Sequence, residues 1–356
     1  MRMKKVTYQQ IADALQISRV TVWKALNNRS GISPSTRQTI LLKAVEMGYP
    51  ISLLESDSNI QQTSAMSVAP KRSSLTSPSP INVAVVVSRP ETSNFWMSII
   101  HYQAMTFAQN DINLIYTYLP PTSKDTDSLP ECLTNGTIQG IIIMNIYDTH
   151  QIEALNKLPV QKVFLDCPSV TEFSSLNGDL FLLEGLSSVD EIVQHMIDKG
   201  KRRIHFIGDI AYAQTNRERH LGYLRAMQRN NIPTDDIVNL TTPIEIESYQ
   251  ETIFEYLNSL DTLPEAIVCA NDHIAYHVAS YCREFGIRVP EDIMISGYDD
   301  NYEFNSIVPL TTVHVSNARL GVRLANRLIS RLQYPEDDFE FTYIRNKPVF
   351  RKSTND

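Results

Sequence analysis

The chain has 356 residues, 42% of them apolar, and a formal net charge of −8. That length exceeds what one core usually supports, so two or three domains are expected, and no run of about 18 apolar residues marks a membrane-spanning helix. Cys132, Cys167, Cys269 and Cys282 stand far apart without a paired short spacing, which excludes a zinc-type ligand pattern or redox pair and predicts reduced, buried thiols. The basic first residues lead into Tyr8, Gln9 and Gln10 instead of an apolar signal core, so a cytoplasmic location without a membrane partner is expected.

The charge is unevenly placed. Residues 1–50 hold eight basic side chains against only Asp13 and Glu46, a balance of +6, which leaves −14 for the remainder. A basic head on an acidic body is the electrostatic footprint of phosphate recognition. Within the head, Thr7 and Gln10 form a capping-box pattern that starts a helix over residues 8–15. After a tight break at Gln16 and Ile17, Ser18 caps a second helix over residues 19–26. Ser33, Pro34 and Gly48 bracket a third, with Ile40, Leu41, Ala44, Val45 and Met47 as its apolar face.

Three short helices on one small core, the second rich in exposed polar and basic residues, predict an all-α helix-turn-helix head over residues 1–50. The second helix then enters the major groove. Arg19 and Val20 stand at its leading end and Lys24 one turn further on, so Arg19 or Lys24 pairs with guanine and Val20 touches a thymine methyl. Thr7, Ser18, Thr21, Asn27 and Arg29 are placed for phosphates. The alternative is a small helical protein-binding module whose basic residues are merely solvated.

The runs Val6–Ala12, Ile17–Val22, Ala25–Asn27, Ile32–Ser33, Thr36–Arg37 and Gly48–Tyr49 resemble the DNA-binding head of the LacI/GalR family of bacterial repressors. Two positions depart from that pattern. Gln16 replaces the usual turn glycine, and Trp23 replaces a small phosphate-binding serine, so that a contact is lost there or replaced by packing. From Ser52 to Pro80 the chain turns polar and serine-rich, and residues 51–80 read as a flexible linker. The resemblance implies a hinge helix with a leucine that wedges into the minor groove. Here only Leu53 and Leu54 offer one, against the reading of plain linker.

Beyond Pro80, strands alternate with helices, predicting an α/β body over residues 81–354 with ligands at the carboxyl ends of its strands. Strands are expected at 83–87, 112–116, 138–144 and 163–165, and in a second series at 204–207, 237–240, 266–269 and 293–295, with helices such as 95–108 between them. The expected lobes are 81–167 plus 296–315, and 168–295 plus 316–354. The segments Asn216–Tyr223, Cys269–Asp272, Gly286–Asp292, Ile295–Asp300 and Pro309–Val313 also resemble the LacI/GalR family, whose body is a two-lobed, periplasmic-binding-protein-like sensor.

That resemblance implies effector contacts from Phe95, Trp96, Asp166, Arg219, Asn271 and Asp299. An aromatic platform beside planar Arg, Asn and Asp partners suits sugars and purines, which present flat faces and a polar rim. Trp96 is also readable as a core or lobe-interface residue, and Asp300 as the holder of the loop from which Asp299 reaches the ligand. A dimeric repressor that binds an operator duplex and a sugar-like effector is the function expected. A solute-binding module of transport shares the two-lobed plan, but the basic head and absent signal segment argue against it. An enzyme is not expected. His273 and His277, four apart, lack the glutamate of a metalloprotease motif, and no nucleophile motif or phosphate-cradling loop occurs, so no metal or cofactor is expected.

Overall fold

The computed structural model describes residues 7–26, 32, 36, 39–40, 43–44, 47, 80–88, 94–120, 129–234, 239–245, 248–301 and 307–355. Two compact units divide the chain, residues 1–73 and 74–356. The expected phosphate contacts Asn27 and Arg29, the wedge candidates Leu53 and Leu54, and residues 51–79 of the expected linker lie outside the described residues.

In the first unit, α1 (Tyr8–Leu15) and α2 (Arg19–Leu26) follow from local chemistry. The Thr7 hydroxyl accepts the Gln10 N–H at 3.4 Å while the Gln10 side-chain oxygen accepts the Thr7 N–H at 2.9 Å, which satisfies two donors left over at the helix start. The Ser18 hydroxyl accepts the Thr21 N–H at 3.0 Å. Between the helices Gln16 is left-handed, with φ 54° and ψ 40°, and the Ile17 N–H closes on the Ala12 carbonyl at 3.0 Å. Ile11, Ala12, Val22, Ala25 and Leu26 bury against Ile40 and Ala44, in a stretch that is helical at 39–40 and 43–44.

A side chain at positive φ meets the preceding carbonyl, so Gln16 holds strain of about 1 kcal/mol. Gln16→Gly relieves it. The variant is expected to raise the midpoint of the head's unfolding transition by roughly 5 °C, read by differential scanning calorimetry of the full chain. An unchanged or lowered midpoint would show that the turn is not strained.

The second unit holds two parallel sheets. The first is built from β1 (Ile81–Val87), β2 (Ile112–Tyr118), β3 (Gly140–Met144), β4 (Gln161–Leu165), β5 (Asp179–Leu183) and β10 (Phe341–Ile344) in the order β10-β5-β4-β3-β1-β2, every pair parallel. Such strands bury both faces and read as nearly unbroken apolar runs, as Gly140–Met144 and Val83–Val87 do. The helices α3 (Asn94–Ala108), α4 (Glu131–Thr134) and α5 (Thr149–Asn156) lie between its strands in sequence.

The second sheet is β6 (Ile204–Ile207), β7 (Ala266–Cys269) and β8 (Met294–Ser296), again parallel. Leu240 pairs with Ile207 at one edge, and Thr311 with Ser296 at the other. The helices α6 (Leu186–Asp198), α7 (Gln214–Arg229), α8 (Tyr249–Asn258) and α9 (Asp272–Glu284) go with it. A short antiparallel pair, β9 (Thr312–His314) with β11 (Lys347–Val349), completes the unit. Gly222 lets α7 approach α6 closely, because a Cβ there would overlap the Leu186 carbonyl.

The lobe boundaries drawn from sequence are corrected in three places. Residues 179–183 belong to the first sheet as β5, and so do α10 (Asn317–Gln333) and β10, whereas residues 296–301 and 311–314 of the segment assigned to the first lobe run with the second sheet. The cause is long-range. Asp179, fully buried, accepts the Arg327 Nε at 2.5 Å, the Arg327 Nη2 at 3.0 Å and the Glu340 N–H at 2.7 Å. That carboxylate ties α10 and β10 to β5, and a buried ion pair of this kind is costly to break. Likewise, the strand expected over 237–240 pairs at Leu240 alone among the described residues. No helix among them is long and apolar enough to cross a membrane.

Candidate functional site

The carboxyl ends of the strands in the second unit converge on a cavity of about 150 Å³. Asn145 and Tyr147 follow β3, Asp166 follows β4, Tyr212 lies in the loop after β6, Asn271 follows β7 and Asp299 follows β8. Phe95 and Trp96, in the first turn of α3, complete the wall, and their rings meet edge to face at 5.2 Å. All six residues expected to face an effector therefore line one cavity. Asn145, Asp166, Asp299 and Asp300 all have positive φ, at 56°, 67°, 105° and 53°. Clustered left-handed backbone at the ends of strands is strain concentrated where side chains must be aimed inward.

Arg219, on α7, is the cation of the cavity. Its guanidinium donates Nη1 to the Ala270 carbonyl at 2.5 Å, lies 3.6 Å from the centre of the Tyr298 ring and stands 3.7 Å from the Asp299 carboxylate. Burial pushes the Asp299 carboxyl up to about 6, an effect that the neighbouring Arg219 charge opposes. Asp300 is held away from this pair by His314, at 2.8 Å, and by Arg351, at 2.6 Å. It fastens the loop from which Asp299 projects, as expected.

Asp166 differs from the simple expectation of a ligand acceptor. Its Oδ1 accepts the N–H groups of Cys167 at 2.9 Å and Thr215 at 3.3 Å, and its Oδ2 accepts the Thr215 hydroxyl at 2.5 Å and the Tyr147 hydroxyl at 3.1 Å. Four donors occupy the carboxylate's capacity. Because Tyr147 belongs to the first lobe and Thr215 to the second, Asp166 is a brace between lobes, and burial raises its pKa. Asn271 is likewise committed in part, since its oxygen caps α9 by accepting the Ile274 N–H at 2.9 Å.

Sequence reasoning missed Asn145, Tyr147, Tyr212, Thr215, Tyr249 and His273, which line the same cavity. The rings of Tyr147 and Tyr212 meet at 4.2 Å across the lobes, and His273 lies 5.1 Å from Tyr249. Thr215 had a signal, standing one helical turn before Arg219 on the same face. The others had none, because loop residues carry no period. His273, expected as plain helix surface, faces the cavity, and burial lowers its pKa to about 4, so the ring is neutral at physiological pH. Among the described residues no cluster of three metal-ligating side chains occurs.

In the first unit, Arg19 and Val20 are exposed at the leading end of α2, while Thr21 and Lys24 are half-buried. The cap residues Thr7 and Ser18 are exposed. The Ser18 and Thr21 hydroxyls share one hydrogen bond at 2.8 Å, which employs only one of their two protons.

Comparison with known proteins adds the following. Residues 193–354 match the model of the periplasmic binding protein-like domain. The chain is 25% identical to the HTH-type transcriptional repressor PurR of Mannheimia succiniciproducens and to that of Actinobacillus pleuropneumoniae, over 98% of both partners in each comparison. Its fold is similar to that of the transcriptional regulator CelR in complex with cellobiose, with a TM-score of 0.68 at 18% identity over 98% of this chain and 100% of the other. It is also similar to the lac repressor dimer bound to operator and the anti-inducer ONPF, with a TM-score of 0.65 at 21% identity over 99% of each chain. A regulator from Enterococcus faecium with bound ribose aligns at a TM-score of 0.63 and 22% identity, covering 76% of this chain and 98% of that one.

Proposed function

We propose that the chain is a bacterial transcriptional regulator of the LacI/GalR type, a ligand-controlled repressor and not an enzyme, as its likeness to the PurR repressors and to the lac repressor fold supports, and that its effector is a small sugar or sugar derivative. The observation that carries this reading is the pairing, in one cavity, of the Phe95 and Trp96 rings with Arg219 and Asp299. Aromatic faces cover the apolar side of a pyranose or furanose ring, while a guanidinium and a carboxylate take its hydroxyls as acceptors and donors respectively. A cavity of about 150 Å³ is smaller than the usual range of roughly 300–1,000 Å³ for drug-sized ligands, which favours one ring over two. The neighbours with bound cellobiose and ribose support the same chemistry.

In this reading Phe95, Trp96, Arg219, Asn271 and Asp299 touch the effector. Asp166 acts through the Tyr147 and Thr215 hydroxyls that it orients. A ligand seated between the lobes favours one lobe arrangement over another only by its difference in affinity for the two. The protein works as a cytoplasmic homodimer, each head reading one half of a near-palindromic operator through Arg19, Val20 and Lys24, with Thr7, Ser18, Thr21, Asn27 and Arg29 as its phosphate contacts.

Calorimetry with a panel of monosaccharides, disaccharides and nucleobases tests the ligand class. Binding of a monosaccharide is expected. Binding of nucleobases alone would discard the sugar and keep the site. The pH dependence has a defined sign, because Asp299 is ionised above about pH 6 and loses its charge and acceptor capacity as the pH falls through that value. Affinity for the sugar is therefore expected to be level above pH 7 and to fall several-fold by pH 5.5, and Asp299→Asn flattens the profile. A parent profile that is flat from pH 8 to 5.5 removes Asp299 from the contact set.

A further inference from the structure

We propose that the free edge of β10 pairs, antiparallel, with the same edge of a second copy of the chain, joining two first sheets into one. β10 is the terminal strand of that sheet and pairs with β5 alone among the described residues. The Leu180 N–H donates to the Glu340 carbonyl at 2.9 Å and the Glu184 N–H to the Ile344 carbonyl at 3.0 Å. Residues 340, 342 and 344 therefore turn their main chain toward β5. Because a strand alternates, the N–H and carbonyl groups of Phe341 and Tyr343 point out of the sheet edge. Edge strands are ordinarily protected by charged side chains or proline, and between Phe341 and Ile344 there is neither. Phe341 rests against the Phe173 ring at 5.8 Å, and Tyr343 donates its hydroxyl to Glu218 at 2.9 Å. Both rings are thus held in place while remaining 50% and 49% exposed.

The charges on either side of the strand identify the occupant. Asp337, Asp338 and Glu340 precede Phe341, Arg345 and Lys347 follow Ile344, and all five are exposed. Glu340 is committed in part, at 3.0 Å from Arg327. A second copy related by a two-fold axis at Thr342 brings the acidic end of each strand beside the basic end of the other. The same axis sets Phe341 opposite Tyr343 of the second copy, so that their outward main-chain groups meet. Aromatic pairs and opposite charges facing across a ladder both stabilise it, and self-complementarity of this kind is what an isologous contact requires. A parallel copy would lay like charge on like, and a strand of uniform charge would match only one end.

Sedimentation equilibrium of the full chain tests the pairing. The parent is expected to reach at least twice the mass of either of two charge variants, one with Arg345→Glu and Lys347→Glu, the other with Asp337→Lys and Asp338→Lys. Each variant presents like charge at both ends of the strand and repels its own copies. Mixed in equal amounts, the two variants are expected to recover the parent's mass, because acidic ends then meet basic ones. Phe341→Lys removes the aromatic pair and is expected to stay at the lower mass. The substituted positions are exposed, so an unchanged unfolding midpoint in calorimetry separates lost pairing from a folding defect. The comparison holds whatever other contact joins the chains, since that contact is common to parent and variants. A parent no heavier than the variants overturns the inference, and so does a larger mass that persists in both variants or fails to return on mixing.

Discussion

Replacing Arg19 and Lys24 together by alanine is expected to reduce affinity for the operator roughly a thousandfold. Arg19 is exposed in the first turn of α2, and Lys24 lies just over one turn beyond. A guanidinium or ammonium on guanine O6 and N7 contributes about 1–3 kcal/mol of discrimination, and two such contacts on neighbouring base pairs combine. The same substitutions remove two charges, so the slope of log K against log salt should fall by nearly two. The two effects are separable. The thousandfold loss applies to the operator, while a random duplex should lose only the electrostatic part. Neither side chain belongs to the core formed by Ile11, Ala12, Val22, Ala25, Leu26, Ile40 and Ala44, so the head's melting transition should not move. Gel shifts on the promoter region of the protein's own gene provide the measurement, and undiminished affinity there would assign recognition to another surface.

The second large effect is expected at Arg219. Its guanidinium is nearly buried, covers the Tyr298 ring, bonds the Ala270 carbonyl and faces Asp299. Arg219→Ala removes the main cation of the cavity, and effector affinity should drop at least a hundredfold, about 3 kcal/mol. The variant also leaves a buried carbonyl unpaired and Asp299 without its opposite charge, so the body should lose roughly 2–4 kcal/mol of stability. Arg219→Lys is not expected to restore binding, because an ammonium can neither lie flat on Tyr298 nor fork between two acceptors. Asp299→Asn separates the causes. It retains shape, removes the charge and leaves the Ala270 carbonyl its donor, so it should cost affinity with a smaller loss of stability than Arg219→Ala. A full-length Arg219→Ala protein that still binds the effector with parental affinity would dismiss this cavity as the effector site.

The head and the two parts of the site were legible to very different degrees. Thr7 with Gln10, Ser18 with Thr21, and the apolar spacing of Ile11, Ala12 and Val22 act within a few residues of chain, so capping and the helical period place α1 and α2 from sequence alone. The strands at Ile204–Ile207 and Ala266–Cys269 were equally plain, as short apolar runs between turn residues. Gln16 was recognisable as the strained position because it stands where the resembled family has a turn glycine, and its φ is indeed positive.

By itself, then, the sequence determined the helical head, the alternation of strands and helices in the body, and which aromatic, cationic and acidic residues were candidates for the cavity. Only the tertiary structure decided which lobe owns β5, α10 and β10, since Asp179 meets Arg327 across 148 positions of chain. It also decided that Asp166 braces the lobes through Thr215 and Tyr147, and that Tyr147, Tyr212 and His273 share its cavity. The division has a physical origin. Caps and periodic burial are set by neighbours along the chain, whereas sheet order and the saturation of a buried carboxylate depend on partners that only packing brings within reach.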